Sequence, residues 1–300
     1  MKRINFIVPS PSDSFYYVAK YLIAWLDPSR LYTSITYNKY LLGAINVRVN
    51  DMWNEFRRPT RADIYWLDTP LYYNDIYRDV ALKKMRPRAV WVASTWNLEM
   101  CRDYFDNCEY VPRVVHPLYL MYESVSFEEK EYDLAFVGTC WWRKGCDIFK
   151  KLCKELGLRC WMTGDYRKLS LHELIDKLIR TKFLFWMTLS EGFGLPLMEA
   201  QCLGIPALCL EAHTNLDYCY TCNLKPELCV SPVKTVIRDD ITGRHKVWLY
   251  KYEDAREVVK EALSMSESEY NDLSAYVEVK ARNFILEWVK KINDKLISLV

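Results

Sequence analysis

Glutamine is almost absent from this chain: Gln201 is the only one in 300 residues. The Asp-x-Asp pair does not occur at all, which removes one short acidic motif for holding a divalent cation. A charge excess is also missing, with 41 Lys and Arg against 39 Asp and Glu, net +2. That near-balance argues against a nucleic-acid partner, which needs a concentrated basic face. Residues 1–116 hold 16 basic and 12 acidic side chains. This mild excess fits an anionic acceptor, peripheral contact with a membrane surface, or an ordinary solvated face. Met1-Lys-Arg leads straight into Ile4-Asn-Phe-Ile-Val8, far short of a secretory apolar core. Apolar runs such as Phe183 to Met187 are too short to span a bilayer. The expected location is cytoplasmic.

Cysteine, by contrast, is plentiful. Eleven in a chain expected to be cytoplasmic read as reduced, buried thiols. Scarce glutamine beside many Tyr, Trp, Lys and Glu is a thermophile tendency, and hyperthermophiles are where intracellular disulfides are common. Both readings stay open. Cys219-Tyr-Thr-Cys222 has zinc-ligand spacing, with His213 and Cys229 nearby. Buried thiols or a disulfide is the plainer reading, so no metal is expected. Cys146 and Cys153 share one helix face and read as core.

Along the chain, short apolar runs alternate with helical stretches. Ile4 to Ser10, Asp63 to Asp68 and Ala89 to Ser94 read as strands; Phe15 to Leu26 and Leu98 to Phe105 read as helices. The charged segment 123–131 lacks a core pattern and is placed as a linker, giving a first domain of 1–122. The alternation restarts with strands at Tyr132 to Gly138, Leu158 to Asp165, Phe183 to Thr188 and Pro206 to Leu210. Helices lie between them, and Asp254 to Leu263 and Glu267 to Leu299 close the chain as helices. This pattern predicts an α/β protein of two doubly wound parallel sheets: domains 1–122 and 132–280, with 281–300 a helix returning to the first. Ligands of such sheets sit beyond the carboxyl ends of the strands.

The run from Ser190 to Pro206, Ser-Glu-Gly-Phe-Gly-Leu-Pro-Leu-Met-Glu-Ala-Gln-Cys-Leu-Gly-Ile-Pro, follows a strand and opens a helix near Leu195. Proline suits a first helical position, where its missing N–H would be unpaired anyway. Gly192 and Gly194 let backbone amides approach a ligand, and a helix N-terminus favours an anion. Glu191 and Glu199 stand eight residues apart, about two helical turns, and can grip hydroxyls at two places on an extended ligand. A tight turn into a core helix is the bland alternative.

This run resembles the signature of retaining glycosyltransferase family 4, which has the GT-B architecture of two facing Rossmann-like domains. The match comprises Glu191, Gly192, Phe193, Gly194, Leu195, Pro196, Glu199, Ala200, Gly204 and Pro206. Phe136-Val-Gly138 through Arg143-Lys144-Gly145-Cys-Asp147 resembles the same family's strand, loop and Lys-Gly-x-Asp segment. Trp161 to Asp165 and Asp239 to Gly243 resemble its Gly-Asp strand end and its Asp-Gly-x-Thr-Gly turn. The resemblance covers residues 132–300 well and 1–116 only by architecture.

It implies a transferase using a nucleotide-diphosphate sugar, UDP- or GDP-linked, with retention, no metal and no cofactor. The acceptor would be a small molecule, glycan, lipid or protein, and the oligomeric state stays open. It further implies that Glu191 contacts the transferred sugar and Glu199 the ribose. Lys144 would neutralise the diphosphate, with Gly138 and the amides around Phe193 to Leu195 beside it. Relatives usually carry arginine after the glycine matched by Gly138; Thr139 stands here, and Arg143 can supply that cation. The first half also departs from the family, with no glycine in Pro9 to Ser14 and no histidine before His116. Ser10, Ser12, Asp13 and Ser14 are candidates for acceptor or phosphate contact, or helix caps in the case of Asp13 and Ser14. Those departures leave a second reading, a catalytically weak or inactive sugar-nucleotide-binding protein.

Overall fold

A computed structural model describes residues 2–11, 14–51, 55, 59–68, 85, 87–163, 169–240 and 243–299. Ser12 and Asp13 lie outside the described residues, as do Gly164, Asp165, Ile241 and Thr242 from the segments read above. The chain divides into two compact units. The first comprises Met1–Pro117, Ile237–Lys246 and Ile285–Val300, and the second Leu118–Val236 and Val247–Phe284.

In the first unit, β1 (Lys2–Val8), β2 (Leu31–Tyr37), β3 (Ile45–Asp51), β4 (Ile64–Asp68), β5 (Ala89–Val92) and β6 (Cys108–Tyr110) form one sheet. Its order is β2-β1-β3-β4-β5-β6 and every pairing is parallel. Helix α1 (Ser14–Ile23) follows β1, and α2 (Thr95–Arg102) follows β5 with Ser94 as its side-chain cap. Central strands of a covered parallel sheet are buried on both faces, and Ile64 to Leu67 and Ala89 to Val92 are buried throughout. Trp66 and Trp91 stand opposite each other in register, edge to face at 5.9 Å.

Strands β2 and β3 escape the sequence reading for identifiable reasons. β2 is an edge strand and mostly half-exposed. β3 carries Asn46 and Arg48, polar residues that an apolar-run criterion rejects. Asn46 is buried because its partners are built in: it accepts from Asn5 Nδ2 at 2.9 Å, and its own backbone N–H donates to Asp63 at 2.8 Å. Ser14 is the first residue of α1, and Ser10 lies in the loop before it.

The second unit holds β7 (Tyr132–Phe136), α3 (Cys146–Leu156), β8 (Cys160–Met162), α4 (Leu171–Ile179), β9 (Thr181–Trp186), α5 (Leu195–Cys202) and β10 (Ala207–Leu210). After them come α6 (Asn215–Tyr218), α7 (Tyr220–Leu224), β11 (Cys229–Val230), α8 (Tyr252–Ser264) and the start of α9 (Glu267–Ser298), whose residues 285–298 count with the first unit. Between β11 and α8, β12 (Lys234–Asp240) and β13 (Gly243–Leu249) form a two-stranded ribbon, with Asp239 in the first strand and Gly243 opening the second. The five-stranded sheet is parallel, ordered β11-β10-β9-β7-β8. The order reverses direction between β7 and β9, which makes their carboxyl ends the switch point of the sheet.

Segment 123–131 belongs to the second unit. Lys130 is buried there and donates to the Ile179 carbonyl at 2.8 Å, and Phe127 packs on Tyr270 at 5.1 Å. Among the described residues no helix is long and apolar enough to cross a membrane.

Ten of the eleven cysteines are paired: Cys101–Cys108, Cys140–Cys146, Cys153–Cys160, Cys209–Cys219 and Cys222–Cys229. Only Cys202 is free, and it is buried. The Cys-x-x-Cys sulfurs therefore belong to two different bridges, and Cys146 and Cys153 are each tied to a partner outside their helix.

Candidate functional site

The site grows from two strand-to-helix connections at the switch point. The first leaves β7 through Gly138, whose φ of +150° a side chain would rarely adopt. Thr163 braces it, its hydroxyl accepting from the Gly138 N–H at 2.8 Å and donating to the Gly138 carbonyl at 3.1 Å. A 3-10 turn, Trp142–Lys144, then brings Arg143 and Lys144 round before Gly145 (φ +78°) starts α3.

The second connection leaves β9 through Met187 to Ser190, and Glu191 to Gly194 turn into α5. Gly194 has φ +84°, and a Cβ there would lie 3.0 Å from the Trp186 ring. Both the backbone and the space therefore demand glycine. Pro196 occupies the first turn of the helix, as its missing N–H favours.

The two connections are locked together. The Leu189 N–H donates to the Arg143 carbonyl at 2.7 Å, and Arg143 Nη1 donates to the Ser190 carbonyl at 3.1 Å. Lys144 Nζ ion-pairs with Glu191, and it also lies 5.5 Å from the Trp186 ring. Burial pushes the Glu191 carboxyl up, but Lys144 and then Arg143 outweigh it and hold the group below the usual carboxylate range. Glu191 is thus a buried anion facing two cations.

A third segment, after β10, supports this corner. The Thr214 hydroxyl donates to the Glu191 and Gly192 carbonyls at 2.7 and 2.9 Å. His213 adopts φ +45°, a costly conformation for a non-glycine residue, and its Nε2 donates to the Thr188 carbonyl at 2.9 Å. Burial pushes its pKa down to about 4, so the ring is neutral at pH 7.

Several buried polar atoms here have no hydrogen-bond partner: Arg143 Nε, Trp186 Nε1, Thr188 Oγ1, Ser190 Oγ and the Tyr250 hydroxyl. Buried polar groups are normally satisfied, and each orphan calls for a partner such as an ordered water, an ion or a polar ligand.

The sequence-derived residues Gly138, Arg143, Lys144, Glu191, Gly192, Phe193, Gly194 and Leu195 all fall on these two connections. Phe193 contributes backbone only, since its ring is buried against Tyr218 at 4.8 Å. Glu199 is 4% exposed within α5. Ser10 and Ser14 belong to the first unit. The sequence pattern does not mark Trp186, Thr188, Thr214 or Tyr250, and it offers Ser190 as the start of the loop and His213 beside the zinc-like cysteines. His213 follows β10 by three residues, at the edge where ligands bind, and that position was the available signal. Two sulfur clusters have metal-like spacing, Cys209, Cys219 and Cys222, and Cys140 and Cys146 with Asp147. Their sulfurs are taken up in disulfides, so neither group offers thiolates.

No protein-family model matches the chain. It is 25% identical to "Putative glycosyltransferase ORF330" of Acidianus filamentous virus 2, over 96% of this chain and 94% of that one. It is 29% identical to "Putative glycosyltransferase 48" of Sulfolobus islandicus filamentous virus, over 79% and 77%. Among solved structures it resembles the sucrose-phosphate synthase of Thermosynechococcus elongatus (TM-score 0.68, 11% identity, 100% of this chain and 99% of that one). It also resembles WaaG, a glycosyltransferase involved in lipopolysaccharide biosynthesis (TM-score 0.60, 13% identity, 98% and 99%). The likeness to TarM is partial, since the chain spans about half of it (TM-score 0.53, 12% identity, 85% and 54%). These likenesses identify the α/β fold as that of GT-B glycosyltransferases.

Proposed function

We propose that this protein is a retaining, metal-independent glycosyltransferase of the family 4 type, which takes its sugar from a nucleoside-diphosphate donor. The observation that carries the reading is the convergence of Arg143, Lys144 and Glu191 at the switch point of one parallel sheet, among orphaned buried polar atoms. Lys144 and Arg143 receive the diphosphate, with the backbone amides of Phe193 to Leu195 offering further donors. Lys144 is paired with Glu191. An arriving diphosphate gives Lys144 a stronger anionic partner and frees Glu191 for the hydroxyls of the sugar. Glu199 holds the ribose.

In the chemical step the bond from the anomeric carbon to the phosphate oxygen breaks, and the acceptor oxygen bonds to that carbon on the same face. The acceptor's proton passes to the departing phosphate oxygen. Fixed cations stabilise the charge that develops there, so catalysis is mainly electrostatic preorganisation. The acceptor is a small molecule, glycan, lipid or protein, and the protein works in the cytoplasm or at a membrane surface. Turnover should survive a chelator; complete loss restored by magnesium would count against the assignment.

The two glutamates separate the reading from its rivals. Glu191→Gln should leave affinity for nucleoside diphosphate unchanged or slightly tighter while turnover falls, because its bonds matter most as the sugar leaves. Glu199→Gln should weaken nucleoside diphosphate and intact donor alike, by about tenfold to a hundredfold for one charge-assisted hydrogen bond. Isothermal titration and product assays read both. If Glu191→Gln weakens the bare nucleotide as much as Glu199→Gln does, the assigned roles are wrong. The glycine-free sequence Pro9 to Ser14 and the absence of histidine before His116 favour a second reading, a donor-binding protein without transfer. Slow donor hydrolysis releasing nucleoside diphosphate separates the enzyme from that binder.

A further inference from the structure

Three of the five disulfides repeat one geometry. Cys101 of α2 joins Cys108, Cys153 of α3 joins Cys160, and Cys222 of α7 joins Cys229. Each spans seven residues and ties a helix to the first residue of the next strand. These bridges sit at the amino ends of the strands, away from the ligand edge of a parallel sheet. Cys140–Cys146 is placed differently. It closes the connection from β7 to α3, joining its entry to the first residue of that helix, with Arg143 and Lys144 inside the ring.

The downstream half of this loop has other anchors, the Leu189-to-Arg143 and Arg143-to-Ser190 hydrogen bonds. Its upstream half is held at Gly138 by Thr163 and at residue 140 by the bridge. Thr139 and Trp141 are exposed, and the hydrogen bond from the Trp141 N–H to the Thr139 carbonyl (2.8 Å) is internal to the loop. Trp141 in turn faces the Arg143 guanidinium at 5.4 Å. Freedom at residue 140 would therefore pass through Trp141 to the cation that bears on the phosphate.

We infer that Cys140 and Cys146 are positioning residues: their bridge presets Arg143 and Lys144 for a diphosphate, whereas the helix-to-strand bridges serve stability alone. The inference rests on the donor-site reading above. Preorganisation of this kind lowers the ordering cost of binding.

The test pairs the double variant Cys140→Ala, Cys146→Ala with the control Cys153→Ala, Cys160→Ala. Their ring sizes are nearly equal, so chain entropy predicts similar falls in melting temperature. UDP and GDP are titrated against uridine and guanosine. The loop variant should bind the nucleoside diphosphates about tenfold more weakly with nucleoside affinity unchanged, a loss of preorganised charge-assisted contacts. The control should bind all four as wild type does. Equal affinities in loop variant and wild type, or parallel losses for nucleotide and nucleoside, would overturn the inference.

Trypsin nicking after Arg143 or Lys144, read as fragments after reduction, supplies a second measurement that needs no nucleotide. Loss of the bridge should speed it severalfold over wild type and control. If the wild-type protein binds none of the nucleotides, the donor-site reading fails on its own. Unchanged nicking then removes the loop constraint as well, and faster nicking keeps it as a constraint on the loop.

Discussion

Treatment with a strong reductant should unfold the second unit far below the melting temperature of the oxidised protein, while the first unit shifts only modestly. Closing loops of this length removes chain entropy worth about 2.5 kcal/mol per bridge. Four of the five bridges lie in the second unit, at 140–146, 153–160, 209–219 and 222–229. Together they contribute about 10 kcal/mol, comparable with the whole net stability of a typical domain. The first unit has Cys101–Cys108, worth about a quarter of that. Calorimetry with and without reductant should therefore separate the two transitions. Alkylation and mass analysis of protein purified without reductant should find one reactive thiol per unfolded chain, that of Cys202. Eleven reactive thiols, or identical calorimetric traces, would sink the expectation.

Lys144→Ala should have the largest effect of any single substitution in the site, and on two quantities together. Its ammonium is the main charge opposite Glu191, and both side chains are mostly shielded, 16% and 10% exposed. Removing one partner of a buried pair costs about 3–5 kcal/mol, because the other charge stays buried. Residual exposure and the neighbouring Arg143 place this variant toward the lower figure. Affinity for nucleoside diphosphate should fall much more than affinity for free nucleoside; equal losses would mean a structural role only.

Adding Glu191→Gln should restore the melting temperature and leave diphosphate affinity low, which separates the two effects. The pH dependence has a definite sign. In the native protein Glu191 is held below its ordinary value, so its contribution is present above that value and lost as pH falls through the lowered one. In Lys144→Ala, burial is opposed mainly by Arg143 and the carboxyl takes up a proton at higher pH. The stability deficit should therefore shrink as the solution is acidified from neutrality through the carboxylate range. A deficit independent of pH would show that Glu191 is not the stranded charge.

How much of this was legible in the chain depends on how local each cause is. Gly194, Pro196 and the helix from Leu195 follow from neighbours in sequence, because positive φ, a missing N–H and a helix start are properties of a few adjacent residues. Strands β4, β5, β7 and β9 were equally readable, since strands buried on both faces are continuous apolar runs. β3 was not, because Asn46 is buried by hydrogen bonds to Asn5 and Asp63, remote in sequence. The spacing of seven in Cys101–Cys108, Cys153–Cys160 and Cys222–Cys229 stood in the sequence three times. Only the return of each helix to its neighbouring strand makes it a bridge.

By itself the sequence determined the alternation of elements, the glycines and proline of the loop before α5, and the types of residue available to a phosphate and a sugar. Tertiary structure alone decided that Lys144 meets Glu191, 47 residues away, and that Thr214 and His213 brace the loop between them. The reason is physical. Backbone conformation is set by each residue and its neighbours, whereas charge pairing and shielding from water depend on which strands lie side by side, and the β7–β9 pairing exists only in the folded sheet.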